Sequence, residues 1–143
     1  MTTSQGFRMS TSVGGVLTGR GADVIILDDV LKPDDALSET RRGAANDWYF
    51  NTLLSCLNSK EKGVIILVMR RLHQEDLVGE VLERGSWEVL SLQAIAEENE
   101  CHTFEIPYGQ RRFYRVAGEA LHPERESLET LKNIRQAMHS DIS

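Results

Sequence analysis

An apolar run that ends in two adjacent carboxylates carries the clearest chemistry in this chain. Val24–Leu27 is followed directly by Asp28 and Asp29. A continuous apolar run predicts a strand that is buried on both faces of a parallel sheet. Because ligands of open α/β sheets lie just beyond the carboxyl ends of the strands, the two acids form a candidate Mg²⁺ site. One carboxylate would hold the ion and the other would take a proton from an attacking water; two solvated acids in a turn are the alternative.

Basic side chains stand at two other positions where a phosphate could be bound. Arg70, Arg71 and His73 follow a second apolar run, Val64–Met69. If the two strands are neighbours, these groups lie beside the acids and are candidates for binding or sensing the γ-phosphate of a nucleotide. Arg20 stands in a glycine-flanked loop before the first strand and is a candidate mobile cation. A solvated loop is the alternative at both positions.

The loop around Arg20 is similar to a phosphate-binding P-loop only in the spacing of its glycines. Gly14–Gly21 reads G-x-x-x-x-G-R-G. A P-loop follows a strand and opens a helix, whereas this loop precedes a strand. Its lysine position holds Arg20, and its hydroxyl position holds Gly21. We therefore do not expect this loop to cradle a phosphate.

The order of elements predicts an α/β fold in which right-handed strand–helix–strand crossovers build a largely parallel sheet. The elements predicted before residue 94 are a β-hairpin that turns at Gly14–Gly15 with arms over 7–13 and 16–18, a strand over 23–27, a long helix over 34–57 with a weak point at Gly43, a strand over 64–69, a short helix ended by Gly85, and a third strand over 87–92.

The character of the sequence changes at Ala94, so we divide the chain into residues 1–93 and 94–143. The basic, aromatic segment Arg111–Arg115 suits either phosphate contact with base stacking or the surface of a β-hairpin. A last helix is predicted after an N-cap at Ser127. An acidic loop is predicted from four glutamates: Glu97, Glu98, Glu100 and Glu105. The apolar face of the last helix is formed by Leu128, Leu131, Ile134 and Met138.

Composition bounds the class of protein. The 143 residues carry a net charge of −6, which argues against a nucleic-acid binder held by bulk charge. The sequence contains no run of about 18 apolar residues, so no membrane span is predicted. Met1–Gly6 lacks the features of a secretory signal. Cys56 and Cys101 are predicted to be reduced thiols of a cytosolic protein, and Cys101–His102 has no second pair at zinc-ligand spacing.

Four segments in order resemble the large terminase subunit of tailed phages and prophages. They are Thr11–Pro33, Trp48-Tyr49, Leu72–Gly79 and Ala120–Arg125. In that family an N-terminal ATPase drives DNA into the capsid and a C-terminal nuclease cuts the DNA. The resemblance implies a partial P-loop-ATPase-like (ASCE) parallel sheet flanked by helices, with an N-terminal β-hairpin and a C-terminal helix.

The resemblance also implies roles for the candidate residues. Asp28 would be the Walker B ligand of Mg²⁺, and Asp29 would stand at the catalytic-carboxylate position, where many members carry Glu. Arg20 would be a trans-acting arginine finger presented to a neighbouring subunit. Met69–His73 would be the coupling motif, in which many relatives carry a small polar residue where Arg70 stands.

The cofactors implied by the resemblance are Mg²⁺ and ATP. The implied partners are DNA, the portal protein, the small terminase subunit and further copies of the chain. The implied location is the cytoplasm of a bacterial host, at the portal vertex of the capsid during packaging, with no membrane contact.

The P-loop and the nuclease of that family have no counterpart in these 143 residues. We therefore expect the middle of an ATPase domain, inactive alone, whose open edge at Val64–Met69 favours self-association or pairing with Trp87–Leu92. A non-catalytic prophage remnant or partner-binding module is the alternative. A phosphorylation receiver domain is disfavoured, because neither of these strands is followed by a phosphoacceptor aspartate.

Overall fold

The computed structural model describes residues 2–3, 6–17 and 19–140, and the side chains of 6–17 and 19–137. The described chain forms two compact units, Met1–Trp87 and Glu88–Ser143. Both units combine strands with helices, so the chain is of mixed α/β class, as predicted. Among the described residues, no helix is both long enough and apolar enough to cross a membrane.

The first unit is built around one pair of parallel strands. Its elements are β1 (Thr2–Thr3), β2 (Gly6–Phe7), β3 (Val24–Asp28), α1 (Pro33–Ala36), α2 (Glu39–Asn51), a 3₁₀ helix (Leu53–Cys56), β4 (Val64–Val68) and α3 (Leu77–Arg84). β1 and β2 form a short antiparallel pair, whereas β3 and β4 run parallel. The predicted strands over 23–27 and 64–69 are therefore present, each displaced by at most one residue.

The predicted burial of these strands on both faces is wrong. Along β3 and β4, exposed residues alternate with less exposed ones. Five apolar side chains are 43–66 % exposed and form what we call the open face of the sheet: Val24, Ile26, Val64, Ile66 and Val68. Two strands with helices packed on one side leave the other side to solvent, because the described chain supplies no second layer.

The covered face of the sheet holds the core of the first unit. Ile25, Leu27, Ile65 and Leu67 alternate with the open-face residues and belong to one apolar cluster. The buried residues of that cluster are Leu17, Leu27, Tyr49, Leu53, Leu77 and Val81. Leu77 and Val81 are four residues apart in α3, so they lie on the same face of that helix. Each such buried side chain contributes about 1.5–3 kcal/mol to stability.

The helix predicted over 34–57 is interrupted. α1 ends at Ala36, and α2 begins after Ser38, whose Oγ accepts a hydrogen bond at 3.4 Å from the backbone N–H of Arg41. A serine that caps its own chain in this way favours a new helix start over continuation of the old helix. Gly43 lies inside α2 and does not break it, and the chain tightens into the 3₁₀ helix after Asn51.

The N-terminal β-hairpin predicted around Gly14–Gly15 is absent from the described residues. Residues 8–17 contain a turn but no strand, and Thr18 lies outside the described residues. The N–H of Gly15 donates to the carbonyl oxygen of Ser12 at 2.9 Å, which closes a tight local turn. Val13 and Val16 are 40 % and 84 % exposed, whereas Leu17 belongs to the core cluster of the first unit, so the two arms have no buried face in common.

Two further predictions near residue 87 are wrong. Residues 87–92 form no strand, and so do not close the open edge of β4. Val89 and Leu90 are adjacent and both more than half exposed, so neither face of the segment is buried. The prediction that Gly85 ends the short helix is confirmed, because Gly85 is the C-cap of α3, with an extended φ of −159°.

The second unit is a β-hairpin followed by a helix. Its elements are β5 (Glu100–Ile106), β6 (Gly109–Arg115) and α4 (Leu128–Ser140). The hairpin confirms one of the two alternatives for Arg111–Arg115. The acidic loop is wrong in part, because Glu100 and Glu105 lie in β5. The predicted last helix is present, and Ser127 Oγ accepts from the N–H of Thr130 at 3.2 Å, as expected of an N-cap.

Candidate functional site

The carboxyl edge of the β3–β4 sheet gathers most of the charged residues selected from the sequence. Asp28 and Val68 are the last residues of the two strands and are direct partners in the parallel register. The backbone N–H of Asp29 donates to the carbonyl oxygen of Val68 at 2.9 Å, so the pairing extends one step beyond β3. Asp29 and Arg70 therefore leave the sheet from the same edge.

The two carboxylates of this edge are exposed and free. Neither Asp28 nor Asp29 takes part in an ion pair or a side-chain hydrogen bond within the described chain, although Arg70 leaves the same edge. Asp28 follows Val24 and Ile26 in the alternation of β3, so it continues the open face. Its oxygens are therefore available to a ligand that approaches from solvent.

Asp29 has an unusual backbone. Its φ is +44°, and it is the one residue other than glycine with a positive φ among those described. Aspartate tolerates this left-handed region better than most residues, at a small energetic cost. The conformation turns the chain out of the strand immediately after Asp28. The side chains of Asp28 and Asp29 therefore do not point to opposite faces of the sheet, as successive residues of a regular strand do.

Arg20 lies at the opposite end of the sheet from the two acids. It precedes β3, whereas the acids follow it, and a five-residue strand is about 16 Å long. Its side chain is exposed, and its backbone N–H donates to the carbonyl oxygen of Leu17 at 3.0 Å. Together with the N–H of Gly15, this backbone donor is used within the loop.

Arg71, one of the predicted phosphate contacts, is held by a buried acid instead. Its Nε lies 3.2 Å from Oδ1 of Asp76, and the Asp76 side chain is fully buried. A second nitrogen of Arg71 donates to the carbonyl oxygens of His73 and Gln74 at 3.3 and 3.2 Å. Arg71 is thus anchored to its own loop through Nε and one terminal nitrogen, although about half of its side chain is exposed.

Asp76 organises the loop that follows β4. Its Oδ2 accepts the backbone N–H groups of Leu72 and His73 at 3.0 and 3.2 Å, and its Oδ1 accepts that of Gly79 at 3.0 Å. It is also the N-cap of α3. The sequence analysis missed this residue, although an aspartate directly before the apolar spacing of a helix is a recognisable N-cap signal.

The environment of Asp76 also shifts its acidity. Burial raises the pKa of the carboxyl, but the hydrogen bonds from Gly79, Leu72 and His73 and the charge of Arg71 lower it by more. The net pKa is therefore below the usual value of an aspartate, and the carboxylate is the stable form in the folded chain.

His73 and Arg70 complete the edge. The Nδ1 of His73 accepts the backbone N–H of Glu75 at 3.1 Å, which leaves its Nε2 directed away from that hydrogen bond. Arg70 is exposed and has no hydrogen bond or ion pair to any described residue. Of the cations predicted here, Arg70 is consequently the one with a fully available charged group.

The same loop is joined to α2 by a partly buried ion pair. Arg42 is only 7 % exposed and donates to Glu75 Oε2 at 3.1 Å and to the carbonyl oxygen of Ala36 at 2.7 Å. The side-chain amide of Asn46 donates to the backbone oxygen of Glu75 at 3.4 Å. These contacts join the loop to α2 and to the end of α1.

The second unit has its own charged cluster. Arg115 is buried and pairs with Glu100 directly across the hairpin, and it also donates to the carbonyl oxygen of Gln93 at 2.7 Å. His102 Nε2 lies 3.1 Å from the other oxygen of Glu100. The partners lower the pKa of Glu100, His102 first and Arg115 second. Arg115 therefore serves the hairpin itself, while Arg111 and Arg112 remain exposed.

Comparison with known proteins adds no relative to these observations. The chain matches no protein-family model, no curated protein and no solved structure. Within the described residues, no three or more histidine, cysteine or acidic side chains converge as metal ligands. A Mg²⁺ ion that is shared with a nucleotide needs only one or two protein carboxylates, since phosphates and waters fill the other positions. The exposed pair Asp28–Asp29 fits that requirement.

Proposed function

We propose that this chain is the Walker B and coupling portion of a viral DNA-packaging ATPase of the terminase large-subunit type. In this proposal the β3–β4 pair is part of an ASCE-type parallel sheet. The chain contributes the metal-holding half of a nucleotide site, and a segment bearing a P-loop contributes the other half.

The observation that carries the proposal is the shared carboxyl edge of two parallel apolar strands. Asp28 is in register with Val68, and Asp29 is hydrogen-bonded to it. In open α/β sheets this edge is where ligands bind. A pair of free carboxylates on one strand and an exposed cation, Arg70, after its neighbour is the charge arrangement that a metal–phosphate group requires.

The two aspartates would divide the work. Mg²⁺ would supply positive charge to the phosphates of ATP when the complete site is assembled. Asp28, at the end of the strand, would hold the ion directly or through its water shell. Asp29, turned out of the strand by its positive φ, would accept a proton from the attacking water.

In this proposal the chain does not bind the phosphates of ATP by itself. Its sequence contains no G-x-x-x-x-G-K-[ST] motif. The glycine loop before β3 uses the N–H groups of Gly15 and Arg20 in its own turns. We therefore propose that the isolated chain does not hydrolyse ATP. Because Arg20 and Asp28 flank opposite ends of β3, the arginine would act on a neighbouring subunit rather than on the aspartates of its own chain.

The wider assembly follows from the same proposal. DNA would be the substrate that is moved, and the portal protein, the small terminase subunit and further copies of the chain would be the partners. The work would take place in the cytoplasm of a bacterial host, at the portal vertex of a capsid.

Reconstitution tests this function. The chain is combined with the polypeptide that carries G-x-x-x-x-G-K-[ST] in the same genome neighbourhood, and Mg²⁺-dependent ATP hydrolysis is measured. We expect hydrolysis by the combination, none by this chain alone, and loss of activity in Asp28→Asn but not in Asp34→Asn. A neighbourhood without such a motif, or a combination whose activity survives Asp28→Asn, would contradict the proposal.

The open face of the sheet favours a second function, a non-catalytic partner-binding module. Ile26 and Val68 are 66 % and 52 % exposed, and an apolar parallel sheet is ordinarily covered on both sides. Such a module would be indifferent to the charge of Asp28 and Asp29. The reconstitution experiment therefore separates the two functions, because only the ATPase requires those carboxylates.

A further inference from the structure

Two neighbouring arginines leave β4, and their surroundings differ. Arg71 contacts the buried carboxylate of Asp76 and two backbone oxygens of its own loop. Arg70 is exposed and makes none of these contacts within the described chain. From the sequence the two side chains are equivalent candidates for a phosphate, so the difference arises entirely from the fold.

We infer that Asp76 is a positioning residue, which holds Arg71 and the backbone of Leu72 and His73 so that Arg70 is the cation left free at the edge beside Asp28. The inference deepens the proposed function and rests on it for the identity of the ligand. It assigns the contact with a phosphate-bearing ligand to Arg70 and removes Arg71 from that role.

The geometry of the carboxylate carries this inference. Both oxygens of Asp76 are used, Oδ2 by the N–H groups of Leu72 and His73 and Oδ1 by Gly79 and Arg71. The contacts join the exit of β4 to the first turn of α3 through one side chain. A buried carboxylate with this many donors is difficult to displace, because each donor would lose its partner away from water.

Close packing around Gly79 adds to the constraint. A Cβ at this position would lie 1.8 Å from the carbonyl oxygen of Gln74, so the loop rests directly on the helix backbone. The segment 71–74 is consequently held from two sides, by the Asp76 carboxylate and by α3. Met69 and Arg70 connect this segment to β4.

The first test needs no variant. Hydrogen exchange of the arginine Nε–H groups is measured by NMR in the full chain. The Arg71 Nε lies 3.2 Å from the buried Asp76 carboxylate, which restricts access of solvent to its proton, so we expect the Arg71 Nε–H to exchange roughly tenfold more slowly than the solvated Nε–H of Arg70. Equal rates at the two arginines would overturn the inference.

The second test replaces the carboxylate. Asp76→Asn is compared with Asp34→Asn, the same substitution at an exposed aspartate outside this loop. We expect Asp76→Asn to bring Arg71 exchange to within about twofold of Arg70, and Asp34→Asn to leave it slow. If Asp76→Asn does not fold, Arg71→Lys replaces it, and the readout is the protection of the Leu72 and His73 amides. Unchanged exchange in these variants would overturn the inference.

A titration separates the inference from the proposed function. Inorganic pyrophosphate with Mg²⁺ is added, and the side-chain signals of Arg70 and Arg71 are followed. We expect Arg70 to respond and Arg71 not to, with the Arg70 response weakened in Asp76→Asn and kept in Asp34→Asn. A response at Arg71 would overturn the inference. Absence of any response at Arg70 and Asp28, with Arg71 exchange still slow, would contradict the proposed function alone.

Discussion

The backbone N–H of Asp29 donates to the carbonyl oxygen of Val68 across a distance of 2.9 Å. This hydrogen bond continues the parallel ladder of β3 and β4 beyond Asp28, the last residue of β3. It fixes where the second aspartate leaves the sheet, next to the point at which Arg70 leaves the other strand. The candidate site is thus defined by backbone pairing rather than by side-chain contacts.

The two faces of β3 give a matched pair of substitutions. Ile25 packs against the core cluster, whereas Ile26 is 66 % exposed. Threonine has a similar preference for strands, so the same change at both positions tests burial alone. We expect Ile25→Thr to lower the free energy of unfolding by about 1–3 kcal/mol, and Ile26→Thr to change it by less than about 0.5 kcal/mol.

Urea unfolding followed by tryptophan fluorescence measures this difference. Trp48 and Trp87 both belong to the first unit, so the signal reports on that unit. Sedimentation velocity on the same proteins measures self-association, which we expect the open face to promote and Ile26→Thr to weaken. A larger loss of stability for Ile26→Thr than for Ile25→Thr would contradict the assignment of the two faces.

Two glycines within helices give a second matched pair. A Cβ at Gly43 would meet nothing within 4 Å, whereas a Cβ at Gly79 would meet the carbonyl oxygen of Gln74 at 1.8 Å. We expect Gly43→Ala to raise the free energy of unfolding by about 0.5–1 kcal/mol, because alanine is the better helix former. Gly79→Ala should lower it by at least about 2 kcal/mol, because the loop must move and Asp76 loses its contacts. Denaturant unfolding checks both, and a change of the same sign in the two variants would refute the packing at α3.

The acidity of Asp76 predicts a dependence of stability on pH. Because its pKa is lower in the folded chain than in the unfolded chain, its contribution is complete above about pH 4 and is lost as the pH falls through the folded value. At pH 7 we expect Asp76→Asn to be less stable than the wild type by about 1–3 kcal/mol, since buried N–H donors lose their acceptor.

The gap between the two proteins should narrow as the pH is lowered below about 4. Tryptophan fluorescence at several pH values measures it in the first unit, and Asp34→Asn serves as an exposed control. A gap that is constant with pH would mean that the carboxylate charge of Asp76 does not contribute to folding.

Sequence reasoning succeeded where local pattern decides structure. The apolar runs of β3 and β4 and the apolar spacing of α3 are strong local signals, and all three elements are present. The parallel pairing followed from the helices between the strands. These features depend on backbone preferences and amphipathic spacing, which a single sequence contains.

Sequence reasoning failed where tertiary partners decide structure. The segment 87–92 has the composition of a strand but no partner in the described chain, so it remains irregular. The apolar run of β3 indicated burial on both faces. Burial of both faces requires a layer of structure on each side of the sheet, and the described chain covers only one side. Arg71 could not be separated from Arg70 without knowing that Asp76 is buried beside it. The sequence shows which charged side chains are present, but only the fold shows which of them already contact another group of the protein.

Metal binding at the Asp28–Asp29 pair is the most direct test of the proposed site. Mn²⁺, which binds oxygen ligands as Mg²⁺ does, is added to the full chain, and paramagnetic broadening of backbone amides is measured by NMR. The chain offers its own control, because Asp34 and Asp35 are a second adjacent pair. We predict broadening centred on Asp29 and its partner Val68, reversed by excess Mg²⁺, abolished in Asp28→Asn/Asp29→Asn and kept in Asp34→Asn/Asp35→Asn. Broadening that persists in Asp28→Asn/Asp29→Asn, or that never occurs at this edge, would contradict the account.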